Sequence, residues 1–249
     1  MGTAFLRDLE NYRRGETGSA PAALTDRVLG AWIHHDNLLE GESFSPQEIR
    51  AALSGADAHF DSYLHPLFAR IRRYADAIRG VWTLAGEGPS AVTLDALKRL
   101  NADLNPDPAD RGGLYRQTSP VHRDYFQAIC AADKVPYHLR KLFEHIEAEA
   151  ATTINPVALA ADVHHRLMFA YPFRKQPGTT ARLFTNLMLL AHGYPPAILP
   201  GGLRAEYYAA LDAPEPVALA RLYRSAMASY MESVTPQRAA QAPLMQAAR

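Results

Sequence analysis

The chain has 249 residues, 48% of them hydrophobic, enough for one large core or two small domains. Its 26 basic and 26 acidic residues cancel, so no global field draws nucleic acid or an anionic membrane surface. A lone cysteine, Cys130, excludes an internal disulfide and a cysteine-based zinc site. The polar start, Met1 to Asn11, does not read as a leader, and the longest apolar stretch, Leu187–Ala191, is too short to span a bilayer, so the expectation is a soluble cytoplasmic protein.

In chain order, residues 1–23 are polar, end near Gly18-Ser19-Ala20-Pro21 and read as a loose arm. Leu24, Val28, Leu29, Trp32 and Ile33 repeat at helical spacing and predict a helix to about Leu39. Ser45-Pro46-Gln47-Glu48 is a capping box with proline at the first helical position. A long helical pattern follows from about Asp57 to Leu84, stopped at Gly86–Pro89. Thr93 caps a helix over Leu94 to about Asp103. Asn105 to Arg116 is loop, and Gln117 to Cys130 has room for a short hairpin.

Pro136 opens the next helix, with Leu139, Leu142, Phe143 and Ile146 on one face. Asn155-Pro156 starts another, which Tyr171-Pro172 ends because the residue before proline is pushed out of the helical region. After the turn Gln176-Pro177-Gly178-Thr179, Thr179 or Thr180 caps a helix from Ala181 to about His192, stopped by Gly193. Arg204–Leu211 and Pro216–Val234 read as two more helices, and residues 236–249 as a frayed tail. The fold class is therefore all-α, with one domain over residues 24–235.

The segment Tyr171-Pro172-Phe173-Arg174-Lys175-Gln176-Pro177-Gly178-Thr179-Thr180-Ala181-Arg182 joins two apolar helices through a short loop. Unpaired amides at a helix start and the macrodipole both favour an anion there. Lys175 and Arg182 add positive charge, so Gly178, Thr179, Thr180 and Arg182 form a candidate phosphate cradle. The plainer alternative is that the threonines cap a helix and Arg182 pairs with an acid.

This segment resembles the signature of the Fic family, H-P-F-x-[D/E]-G-N-G-R-x-x-R between two core helices. Pro172, Phe173, Gly178, Arg182 and Leu183 hold the same frame. Asn186-Leu187 and Gly193-Tyr194-Pro195-Pro196 downstream, and Gly113-Leu114-Tyr115-Arg116 upstream, are similar to the family's flanking pieces. The resemblance implies a helical bundle with a small β-hairpin flap, AMP transfer to protein hydroxyls, and a homodimer. It also implies an inhibitory helix, [S/T]-x-x-x-E-[G/N], whose glutamate pairs with the last arginine of the motif. Asp36 to Gly41 stands at that place with aspartate for the Ser/Thr, so Glu40 is expected to pair with Arg182 and Asp36 to share its helix face.

The departures bear on chemistry. Tyr171 stands where the family has its histidine base, and a phenol is a poor base near neutrality. Lys175 replaces the metal-holding acid and would repel Mg²⁺, which argues against Mg-ATP as the usual cofactor. Gln176, Pro177 and Thr179 replace glycine, asparagine and the first phosphate-holding arginine. Three readings follow. The first is a regulator or pseudoenzyme that binds a phosphate-bearing ligand or a protein partner without AMP transfer. The second is an enzyme with new chemistry, in which Tyr171 and Lys175 converge as catalytic groups. The third is a slow protein adenylyltransferase. The pairs His34-His35 and His164-His165 are weighed as metal ligands and read instead as packing or capping groups, since no metal-type spacing links them. Tyr115, Tyr125, Phe126 and Tyr137 are candidates for a peptide groove, or for core.

Overall fold

Helix starts follow from capping chemistry. Thr25, Ser45, Thr93 and Asn155 each accept a hydrogen bond from the amide three residues on, and Glu48 closes the capping box at Ser45. In the computed structural model, which describes residues 2–14, 24–56, 60–120, 129–150 and 155–246, the chain forms ten α-helices and no strand among those residues. They are α1 (Gly2–Arg13), α2 (Asp26–Leu39), α3 (Pro46–Ser54), α4 (His65–Ala85), α5 (Leu94–Leu104), α6 (Val135–Ala150), α7 (Pro156–Ala170), α8 (Pro177–Ala191), α9 (Arg204–Asp212) and α10 (Val217–Gln246).

Helix α8 is the axis of the bundle. Every residue from Pro177 to Leu189 is buried, as expected of a helix with neighbours on all sides. Helices α4, α5 and α7 pack against it, α10 lies on α7, and α2 crosses α4. Trp32, Phe68, Phe184, Tyr207 and Tyr223 are the large side chains sealed in the resulting core. Asn186 ties the chain that follows α8 back onto it, accepting from the Ala197 amide at 2.7 Å and donating to the Arg182 carbonyl at 3.0 Å. Among the described residues, no helix is long and apolar enough to cross a membrane.

Several boundaries differ from the sequence reading, each for a local reason. The first residues are not a loose arm: α1 is a helix whose Leu9 is buried in the main core and whose Tyr12 packs near Val28 and Tyr230. Pro66, in the first turn of α4, sets that helix's start, with a 3₁₀ turn over Ser62–Leu64 before it. Pro177 takes the same role in α8, so Thr179 and Thr180 lie inside the helix and do not cap it. Helix α10 continues to Gln246, through the segment read as a frayed tail. The expected hairpin over Gln117–Cys130 falls mostly on residues 121–128, outside the described residues, as do Tyr125 and Phe126.

Candidate functional site

The turn between α7 and α8 is held by buried polar side chains. Tyr171 takes a left-handed conformation (φ 44°) and so breaks α7, while Gln176 does the same (φ 49°) immediately before Pro177. Asn101, 1% exposed on the inner face of α5, donates to the Lys175 carbonyl and to Thr180 Oγ1, both at 2.9 Å, and accepts from the Gly113 amide at 3.0 Å. Thr180 Oγ1 in turn donates to the Gln176 carbonyl at 2.7 Å. Buried Arg116 donates to the Tyr171 carbonyl at 2.7 Å, to Thr118 and to Cys130. Tyr115 and Phe173 form an isolated antiparallel bridge. One asparagine and one arginine thus fix both ends of the turn.

Arg182 lies on the second turn of α8, 2% exposed, and each of its three side-chain nitrogens donates to a named partner. Asp36 accepts from Nε and, at 2.8 Å, from Nη2, a two-pronged pair inside the core. Glu40, at the C-cap of α2, accepts from Nη2 at 2.6 Å. Tyr207 accepts from Nη1 at 3.0 Å. Asp36 also accepts from the Tyr74 hydroxyl and from Thr179 Oγ1. Burial opposes the charge on Arg182, but Asp36, Tyr207 and Glu40 outweigh it and hold the guanidinium pKa well above its usual value.

Behind Tyr207 a single set of proton positions satisfies every group. Buried His164 contacts Tyr207 Oη through Nε2 (2.9 Å) and Tyr223 Oη through Nδ1 (2.6 Å). Tyr223 Oη meets Thr185 Oγ1 at 2.8 Å, and Thr185 donates to the Ala181 carbonyl. Tyr207 accepts from Arg182, so it donates to His164 Nε2; Nδ1–H then donates to Tyr223, and Tyr223 to Thr185. That chain requires neutral His164, in keeping with a pKa held well below its usual value by burial, by Arg182 and by His165.

A carboxylate of the chain itself lies over the start of α8. A Cβ added to Gly178 would lie 2.6 Å from Glu40 Oε1 and 3.2 Å from Arg182 Nη1. Glycine at 178 therefore lets Glu40 close over the first turn of α8, where backbone amides and the macrodipole favour negative charge.

The chain as a whole has relatives among known proteins. The Fic/DOC family profile matches residues 91–189. A protein of Caenorhabditis elegans named protein adenylyltransferase fic-1 is 36% identical over 209 residues, which is 83% of this chain and 40% of that protein. Residues 91–189 carry a Fic/DOC domain. The chain spans well under two thirds of the nematode relative's length. The Fic-1 structure from Caenorhabditis elegans superposes with a TM-score of 0.72 at 21% identity, covering 95% of this chain and 72% of that one. A Fic-domain signalling protein from Bacteroides thetaiotaomicron does so with a TM-score of 0.72 at 17% identity, covering 94% of each. Those two likenesses establish the all-helical fold.

Within the Fic frame, the structure separates the two groups that the second functional reading required together. The Tyr171 phenol is buried, and burial first, then Glu40 and Tyr208, raise its pKa further above the ordinary phenol value. Lys175 is half exposed and turns its Nζ to Asp110 at 3.6 Å. The charges that act on the phenol are Glu40 and Arg116, not Lys175, so the lysine does not lower the tyrosine's pKa. At the turn the chain presents Lys175, a like charge that repels Mg²⁺, and no group of three His, Cys, Asp or Glu that could hold a metal lies among the described residues.

The histidine pairs also diverge. His34 Nδ1 faces the Phe44 carbonyl, His35 Nδ1 the Gly201 amide, and His165 Nε2 the Ala213 carbonyl, while His164 lies between its two tyrosines. Asn101, Tyr74, Tyr207 and Arg116 carry the site and were given no role from the sequence. Asn101 had a legible signal, a polar residue within the apolar stripe Leu97, Leu100 and Leu104. The hydroxyls of Tyr74 and Tyr207 had none, since both rings fit their helices as ordinary core aromatics.

Proposed function

We propose that this Fic-domain protein binds a phosphate-bearing ligand at the start of α8 and does not transfer AMP by a histidine and Mg²⁺ route. Arg182, Gly178, Thr179 and Thr180 form the cradle, and Asp36 and Glu40 are the groups that regulate it. The observation that carries this reading is the closed network on Arg182, in which Glu40 lies where a phosphate would meet both the arginine and the helix start. Tyr171 in place of a base and Lys175 in place of a metal-holding acid support the absence of the usual chemistry, because loss of a general base alone costs about 10²–10⁴-fold in rate.

Aspartate at position 36 makes the closed state tighter than the resemblance alone implied. A serine or threonine there would offer one hydroxyl, whereas Asp36 holds Arg182 through two bonds inside the core. Replacing Glu40 alone therefore leaves Arg182 engaged.

The test is a thermal-shift titration of the full chain with ATP, ADP and inorganic phosphate, with and without Mg²⁺. The reading expects weak, Mg²⁺-independent stabilisation in the native chain, stronger stabilisation in Asp36→Ser/Glu40→Gly, and none in Arg182→Ala. Equal shifts in the native chain and in Arg182→Ala would remove the cradle. A second reading, slow protein adenylyltransfer, draws support from the named nematode relative. It expects label transfer from α-labelled ATP to protein in Asp36→Ser/Glu40→Gly, strictly dependent on Mg²⁺. Label transfer seen only after Tyr171→His and Lys175→Asp are added would favour the first reading instead.

A further inference from the structure

A concavity lies away from the motif, between α2 and α3. It is a groove open to solvent of about 750 Å³, within the range of sites that hold small organic ligands. Gly30, Ala31, Ile49, Ala51 and Leu53 form an apolar floor, and Arg27 and Arg50 stand at its rim with Asp26. Both arginines are exposed, and neither has an ion-pair partner among the described residues, so the rim carries more positive than negative charge.

Gly30 is the informative residue. It sits inside α2, where glycine costs about 1 kcal/mol relative to alanine. Its φ is not positive, and a Cβ there would meet only Ile49 Cγ2, at an ordinary 3.8 Å. Neither backbone conformation nor close packing of the protein on itself calls for glycine. What its missing side chain provides is depth in the groove floor.

The dimensions choose between occupants. Helix α3 has nine residues, about 13 Å of helix. That is too short a wall for an amphipathic helix reading several turns, and long enough for a medium-length hydrocarbon chain. We infer that the α2–α3 groove is a binding site for an amphipathic anion, a medium-chain carboxylate whose tail lies on Gly30, Ala31, Ile49 and Leu53 and whose head group is held by Arg27 and Arg50. Arginine's planar fork suits a carboxylate, and its exposure at the rim leaves the head group at the solvent boundary.

Isothermal calorimetry on the full chain tests this, with decanoate below its micellar range as probe. Acetate supplies the head without the tail, and decyltrimethylammonium supplies the tail with the opposite charge. The expected result is saturable decanoate binding, with neither control binding. Arg27→Glu/Arg50→Glu should weaken decanoate at least tenfold. Gly30→Leu should abolish binding by filling the floor, while its circular dichroism and melting temperature match or exceed those of the native chain, because leucine favours the helix. Equal binding of decanoate and decyltrimethylammonium, decanoate binding that survives Gly30→Leu, or no binding of decanoate to the native chain would each overturn the proposal. None of these outcomes depends on Arg182, so the inference stands or falls apart from the cradle.

Discussion

The two acids on Arg182 are predicted to differ sharply in what they contribute. Asp36 and Arg182 have side chains 4% and 3% exposed, whereas Glu40 is 26% exposed. Asp36 also takes bonds from Tyr74 and Thr179, so it is the acceptor for four donor contacts. Asp36→Asn keeps the shape, removes the charge and turns an NH₂ toward donors. Breaking one side of a buried ion pair costs about 3–5 kcal/mol. Glu40→Gln keeps an acceptor and leaves Arg182 neutralised by Asp36, so the half-open pair is worth about 0–1 kcal/mol. For a chain of this size those figures correspond to a fall in melting temperature of roughly 6–20 °C for Asp36→Asn and at most about 4 °C for Glu40→Gln. Tryptophan emission is a suitable probe beside circular dichroism, because Trp32 lies on α2 with its ring centroid 6.1 Å from that of Trp82 on α4. Asp36→Asn/Arg182→Met, which removes both buried charges, should recover part of the loss. If Asp36→Asn costs no more than Glu40→Gln, the division into a structural acid and a releasable acid is wrong.

Three further outcomes follow from the same geometry. Gly178→Ala should fold about as well as the native chain, since alanine favours a helix and the closest atom it meets, at 2.6 Å, is the end of the part-exposed Glu40 side chain; it should expel Glu40, so that the Glu40–Arg182 coupling in a double-mutant cycle falls to about zero in that background. Asn101→Ala should cost about 2–4 kcal/mol in urea unfolding by orphaning the Gly113 amide and the Lys175 carbonyl, with Asn101→Asp failing to rescue, because a carboxylate has no amide hydrogens to donate. His164 stays neutral in the fold but takes a proton when unfolded, so stability should fall as the pH drops below about 6.5, by about 1.3 kcal/mol between pH 7.5 and 5.5; His164→Gln should remove that part of the slope, and an unchanged slope would place the titration elsewhere.

How much could be read in advance varied with the kind of signal. Local chemistry was legible: the caps at Ser45, Thr93 and Asn155 are encoded within three or four residues and stand where the spacing put them. Two prolines, Pro66 and Pro177, misled by position. Pro177 opens α8 four residues before the expected start, because proline's fixed φ suits a first helical turn better than a threonine cap one turn later. The start of the chain misled by composition: α1 has two buried anchors, Leu9 and Tyr12, with Phe5 partly buried beside the core, too few to show a stripe. At the site, the motif spacing brought Arg182, Gly178, Glu40 and Asp36 to attention. The clamps Asn101 and Arg116 bind backbone carbonyls across 74 and 55 residues of chain, and no local pattern reports a contact of that range. The supposed Lys175–Tyr171 pair failed for a related reason, since neighbours along a loop need not point the same way, and Asp110 offered Lys175 a partner outside.

The unequal strength of the two acids also limits how any ligand can reach the proposed cradle. A phosphate that had to displace Asp36 would need to replace a buried two-pronged pair and satisfy Tyr74 and Thr179 as well, a cost of about 3–5 kcal/mol before any gain. One that displaces only Glu40 replaces a single, partly exposed carboxylate with another anion over the same helix start. The second route is cheaper by enough to change a dissociation constant more than thirtyfold. A bound phosphate should therefore meet Arg182 at the edge that faces Gly178, with Asp36 still holding the far side. In that arrangement the guanidinium, shared with Asp36, offers less net charge than a free arginine. Charge stabilisation is the main contribution a protein makes to phosphoryl-transfer chemistry. Asp36 therefore works against turnover even where it leaves binding intact, and Asp36→Ser should affect any residual transfer rate more than it affects the affinity for phosphate.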